Sequence, residues 1–336
     1  MIASDFSFII PVYNRPEEIR ELLESFLELD IPKTFEVIIV EDGSSLDSRL
    51  IVEQFQSKLN INYYYKKNTG PGDSRNYGMR KAKGHYFIVL DSDCILPKQY
   101  LSEVINFLKT SYVDCFGGPD AAKHNFSEFQ KAINFTMTSF ITTGGIRGGD
   151  KEVEGYEPRS FNMGLSKEAF HASGGFGNIH PGEDPDLSIR LKDMGYKLRL
   201  ISKAFVYHKR RMTLEKFFIQ MYKFGQVRPI LNKWHPHSRK IAYWFPSLFT
   251  IGFIISLVLI LFNFNWFLYV YGLYFLAVFL VALNLTVDLV TSILCLPTLM
   301  VQFFAYGIGF LKSNVKLKIS RKPDTVLFSK FFFKTS

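Results

Sequence analysis

Residues 243–311 are almost continuously apolar, and no surface of a water-soluble domain tolerates a run of that length. The chain therefore divides into a soluble N-terminal part and a C-terminal membrane part. Segments 244–262 and 266–285 are each long enough to span a bilayer, with tryptophan near their ends. A third apolar stretch, 289–311, is expected to be interrupted at Pro297. Three full spans put the basic tail outside, against the positive-inside tendency, whereas two spans plus a re-entrant or interfacial segment keep it in the cytoplasm. Both arrangements are open at this point.

The formal net charge of +9 conceals an asymmetry. Residues 203–336 hold 17 Lys+Arg against 3 Asp+Glu, and residues 1–202 hold 23 against 28. The basic residues collar the apolar segments, as expected of the cytoplasmic side of a membrane protein facing anionic lipid. They track the membrane segments instead of one soluble module, which argues against nucleic acid as a partner. The start, Met1-Ile2-Ala3-Ser4-Asp5, has neither a basic n-region nor an apolar h-region, so the N-terminal domain is expected to remain in the cytoplasm. Cys94, Cys115 and Cys295 have no metal-ligand spacing and form no disulfide framework.

The soluble part alternates strand and helix signals. Buried strands are expected at 6–12, 35–40, 61–65, 86–90 and 112–116, with helices between them near 16–27, 50–55, 74–83 and 100–108. Asn14 is expected to cap the first helix, with Pro16 in its first turn. Such alternation gives a mostly parallel sheet with helices on both faces, a Rossmann-like α/β layout that binds ligands at the carboxyl ends of its strands. Beyond Gly118 the pattern loosens. A strand is expected at 161–165 and a short helix at 187–194, and the glycine-rich stretch 144–150 reads equally as a mobile lid or an ordinary connection. Segment 213–234 mixes basic and aromatic residues and is expected to be an interfacial amphipathic helix, a packed helix being the alternative.

Five polar constellations fall at ends of these elements. They are Pro11-Val12-Tyr13-Asn14-Arg15, Glu41-Asp42-Gly43-Ser44-Ser45, the stretch from Asn68 through Gly70-Pro71-Gly72 to Arg75-Asn76, Asp91-Ser92-Asp93, and Gly182-Glu183-Asp184-Pro185-Asp186. In an extended backbone Asp91 and Asp93 face the same way, and two such carboxylates repel unless a cation shares the space. Hard divalent cations take carboxylates together with phosphate oxygens, so the pair suggests a metal-dependent site for a phosphorylated ligand. Each constellation alone has an ordinary structural reading: Asp42-Gly43 as a turn, Arg75 as a surface ion pair, Asp184 before Pro185 as a helix cap. Their shared placement at strand ends favours function.

In this order the set resembles the family 2 glycosyltransferases, nucleotide-sugar enzymes of the GT-A fold, over roughly residues 5–215. The run Phe161-Asn162-Met163-Gly164-Leu165 with Gly174-Gly175-Phe176 also looks like their acceptor-side segment. The resemblance implies domain 1–212, with a nucleotide-sugar half at about 1–117 and an acceptor half at about 118–212. An interfacial helix at 213–240, two or three membrane segments at 241–312 and a basic cytoplasmic tail at 313–336 would follow. It implies donor contacts from Pro11, Tyr13, Asn14, Asp42 (to the base, typically uracil), Arg75, Asp91 (near the ribose) and Ser92. Asp93 would bind a divalent metal, Mg²⁺ or Mn²⁺, bridging the diphosphate. Some relatives place a histidine like His208 near that metal or the diphosphate, and a structural or surface histidine is the alternative. Asp184 would be the general base of an inverting displacement, with Glu183 as its partner or as an acceptor contact.

One departure matters. Processive synthases related to this family carry Gln-x-x-Arg-Trp on an interfacial helix, whereas here Gln226 and Arg228 stand at a different spacing and Trp234 lies further on. That speaks for transfer of one or a few sugars and against synthesis of a long polymer. With the resemblance, the expected reaction moves sugar from a UDP-sugar to a membrane-associated saccharide or lipid-linked acceptor, in cell-surface polysaccharide assembly at the inner membrane. The alternatives are transfer to a polyprenyl phosphate and a non-catalytic membrane scaffold that keeps a degenerate fold.

Overall fold

The computed structural model describes residues 1–121, 127–144, 156–208 and 213–333. The glycine-rich stretch expected at 144–150 lies outside the described residues except for Gly144. Two compact units result: Met1–Lys123, Glu154–Lys209 and Ser329–Ser336 make the first, and His124–Val153 with Arg210–Phe328 make the second.

The first unit opens with strand β1 (Phe6–Val12), helix α1 (Pro16–Leu27), β2 (Glu36–Asp42), α2 (Arg49–Glu53) and β3 (Asn60–Lys66). Then come α3 (Pro71–Lys81), β4 (Tyr86–Leu90), β5 (Cys94–Ile95), α4 (Tyr100–Thr110), β6 (Cys115–Gly117) and β7 (Asp120–Ala121). A seven-stranded sheet runs β3-β2-β1-β4 and continues through β8 (Asn162–Ser166), β6 and β9 (Leu198–Leu200). The first four strands are parallel, and β8 runs antiparallel to both β4 and β6. This is the expected α/β class, with one reversed strand inside a parallel-rich sheet.

The sheet is buried on both faces, so its central strands read as apolar runs without polar alternation. Period-two geometry sends Phe6, Phe8, Ile10 and Val12 into one core with Ile19, Leu22 and Phe26 of α1 and Tyr100 and Leu101 of α4. It sends Ile9, Ile38 and Val89 into the opposite core with Met79 of α3 and Phe170. All five residues of β4 are fully buried. Truncating Phe87 to alanine there is expected to cost about 3–5 kcal/mol. The second core is completed by helices Lys167–Ser173 and Glu183–Asp193, which contribute Ala169, Phe170, Leu187 and Leu191.

The parallel strands end together, so the segments after β1, β2 and β4 share one edge of the sheet. A second, three-stranded sheet, β5-β10-β7, lies beside the fourth of the polar constellations, with β10 spanning Val206–His208. There His208 stands in register opposite Cys94.

The second unit holds helices Glu128–Thr138, Phe140–Thr143, Leu214–Trp234, Phe245–Ile260, Trp266–Thr286 and Leu289–Ile319. Residues 128–143, expected in the acceptor half, thus pack in this unit: Ala132 and Phe135 join Leu299 and Phe303, and Ile133 and Met137 join Phe217 and Met221. Helix Leu214–Trp234 buries Phe217, Met221, Gly225 and Ile230 and leaves Phe218, Ile219 and Trp234 exposed. It crosses Leu289–Ile319 closely enough that a Cβ on Gly225 would lie 2.1 Å from the Tyr306 carbonyl oxygen. Small residues at close helix crossings are the usual device of membrane bundles.

Among the described residues, three helices are long and apolar enough to cross a membrane: Ile241–Ile260, Trp266–Thr286 and Leu289–Ile319. The last is continuous through Pro297, and its 31 residues reach about 46 Å at 1.5 Å per residue. It therefore runs on beyond the boundary expected at 312.

Candidate functional site

Asp91 and Asp93 do not lie on one extended strand. The chain turns after β4, closing with a bond from the Cys94 amide to the Asp91 carbonyl (3.2 Å), and each carboxylate meets its own cation. Asp91 Oδ1 accepts from Arg75 Nη2 at 2.8 Å. Asp93 Oδ2 accepts from Arg15 Nη1 at 3.0 Å, and Asp93 Oδ1 lies 3.0 Å from His208 Nε2. Each carboxylate is thus offset by a cationic partner, which relieves the repulsion expected of the pair.

His208 reaches Asp93 because β10 pairs with β5, directly after the turn. Its ring stacks on Phe161, with centroids 5.1 Å apart. Burial pushes the Asp93 carboxyl up, but the His208 bond and charge, with Arg15, hold it below the usual carboxylate range. Ligand atoms of Asp93, Cys94 and His208 lie within 4.8 Å of one another. Burial keeps the Cys94 thiol protonated, and its sulfur donates to the Phe161 carbonyl oxygen, so it is no ligand for a hard cation. Asp93 and His208 remain as an oxygen and nitrogen pair that fits a divalent metal.

Arg75, on α3, is almost fully buried and joins two parts of the site. Besides Asp91 it donates from Nη1 to Glu183 Oε1 at 3.2 Å, and its guanidinium lies 5.3 Å from the centre of the Phe176 ring. Burial disfavours its charge, and Asp91, Asp184 and Glu183 more than restore it. Glu183 Oε1 also lies 2.8 Å from His180 Nδ1. Burial raises the Glu183 pKa, but His180 and Arg75 outweigh it and leave Glu183 firmly ionised.

Asp184 differs from its neighbour. The helix begins at Glu183 with Gly182 as its cap, so Asp184 sits in the first turn and does not cap it. Its Oδ2 accepts from the Ser160 amide at 3.1 Å, while Oδ1 is shielded from solvent with no hydrogen-bond partner among the described residues. Burial pushes its pKa up, the Glu183 charge pushes further, and Arg75 and Arg159 offset this in part. An under-solvated carboxylate oxygen with raised proton affinity is equipped to accept a proton.

The remaining expected residues organise loops. Asp42 Oδ1 accepts from Lys66 Nζ (2.7 Å) and the Thr69 amide (3.0 Å), and Oδ2 from the Gly70 amide (3.0 Å). Asn14, with φ at 54°, does not cap α1: its Oδ1 accepts from the Ser45 and Leu46 amides at 2.9 and 3.0 Å. Pro11 is half-buried, Ser92 is buried, and Tyr13 is 53% exposed at the mouth of the strand ends. Sequence reasoning left Arg15 and His180 without roles. Arg15 was visible in the first constellation, and His180 stands three residues before Glu183, but nothing in spacing marked their carboxylate partners.

The model of glycosyl transferase family 2 matches residues 7–174, half of the chain. The chain belongs to glycosyl transferase family 2. Poly(ribitol-phosphate) beta-N-acetylglucosaminyltransferase TarS of Staphylococcus aureus is 37% identical over 112 residues, which cover 32% of this chain and 20% of TarS. Chondroitin synthase of Escherichia coli is 27% identical over 241 residues, 62% of this chain and 35% of the synthase. The chain thus spans roughly a fifth to a third of these relatives' length. Among solved structures, the mannosyltransferase PcManGT of Pyrobaculum calidifontis, in complex with GDP-Man and Mn²⁺, superposes with a TM-score of 0.59 at 14% identity. That match covers 91% of this chain and 87% of PcManGT, a likeness of fold.

Proposed function

We propose that this family 2 member is an inverting glycosyltransferase. It moves a sugar from a nucleotide-diphosphate donor, UDP-linked, to a hydroxyl of a membrane-associated saccharide or lipid-linked acceptor in cell-surface polysaccharide assembly. The observation that carries the reading is Arg75, which bonds Asp91 on the donor side and Glu183 beside the candidate base. One buried cation thereby links the two halves that a transfer reaction must bring together. The named relatives TarS and chondroitin synthase support the substrate class.

In this reading Tyr13, Asp42, Arg75 and Asp91 bind and orient the nucleotide. Asp184 Oδ1 takes the proton as the acceptor oxygen attacks the anomeric carbon, and the carbon–oxygen bond to the diphosphate breaks on the opposite face. Glu183 stays ionised beside Arg75 and keeps the proton affinity of Asp184 raised. A divalent cation, Mg²⁺ or Mn²⁺, held by Asp93 and His208 would supply charge neutralisation at the leaving diphosphate. The three apolar helices and the basic residues around them support membrane attachment, with the catalytic unit on the cytoplasmic face of the inner membrane.

The test is the anomeric configuration of the product. Membranes containing the protein, supplied with α-linked UDP-sugars and a saccharide acceptor, should yield a β-linked product by NMR. A retained α-linkage, or no product with any donor, would refute the proposal.

A further inference from the structure

The three phenylalanines near the chain end, Phe331, Phe332 and Phe333, pack on the first unit although they follow the apolar helices in sequence. The His180 amide donates to the Phe331 carbonyl oxygen at 2.7 Å, and Ile179 forms an antiparallel bridge with Phe332. Asn178 Nδ2 donates to the Phe333 carbonyl oxygen at 2.6 Å. The Phe331 side chain is only 1% exposed and anchors this short pairing. The Phe333 ring lies against Gly70, where a Cβ would come within 2.4 Å of a ring carbon, and 6.1 Å from the His180 ring. Gly70 opens α3, the helix that carries Arg75.

We infer that Phe331–Phe333 is a positioning strap of the active site, holding loop 178–182 and through it His180 and Glu183. The inference rests on the glycosyl-transfer reading for what is positioned. The chain of contacts is continuous: the strap pairs with residues 178–180, His180 with Glu183, Glu183 with Arg75, and Arg75 with Asp91. No atom of the strap is assigned to the substrate, so its effect passes through the loop. Gly70 lacks a side chain where the ring seats, so the ring can lie directly on the backbone. Loss of the ring frees the loop, which leads directly into Glu183 and then Asp184.

The test compares F331A, F333A and F333L with the unsubstituted full-length chain. Hydrogen exchange over residues 178–183 should quicken in F331A and F333A and return towards the original rate in F333L. In steady-state kinetics F333A should lower kcat roughly tenfold, since misplacing a catalytic group by about 1 Å can cost far more. F333L should recover most of that loss. Unchanged exchange in F331A and F333A overturns the strap, whatever the protein's activity. Faster exchange with unaltered kcat also overturns it, because the segment would then be merely packed there. Failure of the unsubstituted protein to turn over any nucleotide sugar would instead refute the glycosyl-transfer reading, a separate result that exchange does not report.

Discussion

Arg15 Nη1 donates to Asp93 Oδ2 at 3.0 Å, on the carboxylate oxygen that does not face His208. A divalent cation on Asp93 must compete with that guanidinium. Arg15 is 44% exposed along its side chain, so the pair is screened and the competition modest. R15Q should therefore tighten Mn²⁺ binding about two- to fivefold, read by titration calorimetry without donor. Unchanged or weaker binding would show that Arg15 does not oppose the metal.

Asp184 is the group whose removal separates two acceptor chemistries. A hydroxyl acceptor needs its proton taken, and loss of a general base typically costs about 10²–10⁴ in rate. D184N should reduce kcat by that order with nucleotide binding intact by calorimetry. A phosphate acceptor is already ionised and would tolerate the change, so a near-normal D184N rate would favour transfer to a polyprenyl phosphate.

The pH dependence follows from the charge around Asp184. Burial and Glu183 raise its pKa, and the base works only when ionised. Activity should fall on the acid side through a pKa above the usual aspartate value of about 3.9. E183Q removes one cause of the rise, so the acid limb should move to lower pH even as the rate falls. An acid limb that stays in place or moves upward in E183Q would contradict this electrostatic account.

Much of this arrangement was legible in the sequence, and the exceptions have physical causes. Strands β1, β2 and β4 stand out because strands buried on both faces need apolar runs, and the ends of β2 and β4 place Asp42 and Asp91. Strands β5, β7 and β10 are two or three residues long, too short to leave a period, so the pairing that brings His208 to Asp93 stayed hidden. Asn14 resembles a helix cap locally, yet the loop after β2 offers it two amides that α1 does not. Residues 313–336 read as a basic tail from their charge, whereas Phe331 within them is buried. Pro297 suggested a break, but the helix continues through it.

Helix packing in the second unit yields a stability prediction. A Cβ on Gly225 would lie 2.1 Å from the Tyr306 carbonyl oxygen, and one on Gly309 2.4 Å from that of Tyr222. Backbone cannot yield as a flexible side chain does, so G225A should destabilise this unit by about 1–3 kcal/mol, the usual range for overpacking. Thermal unfolding in detergent should show a lowered midpoint. G272A, with no described residue within 4 Å of its added Cβ, is the matched control.

The most direct test of the central claim is UDP release from UDP-sugars by membranes carrying the protein, with Mn²⁺ or with EDTA, for the unsubstituted chain and D93A. The account predicts release with Mn²⁺, none with EDTA, and none from D93A even though it folds and inserts as before. Release that persists in EDTA, or in D93A, would contradict metal-assisted transfer at Asp93.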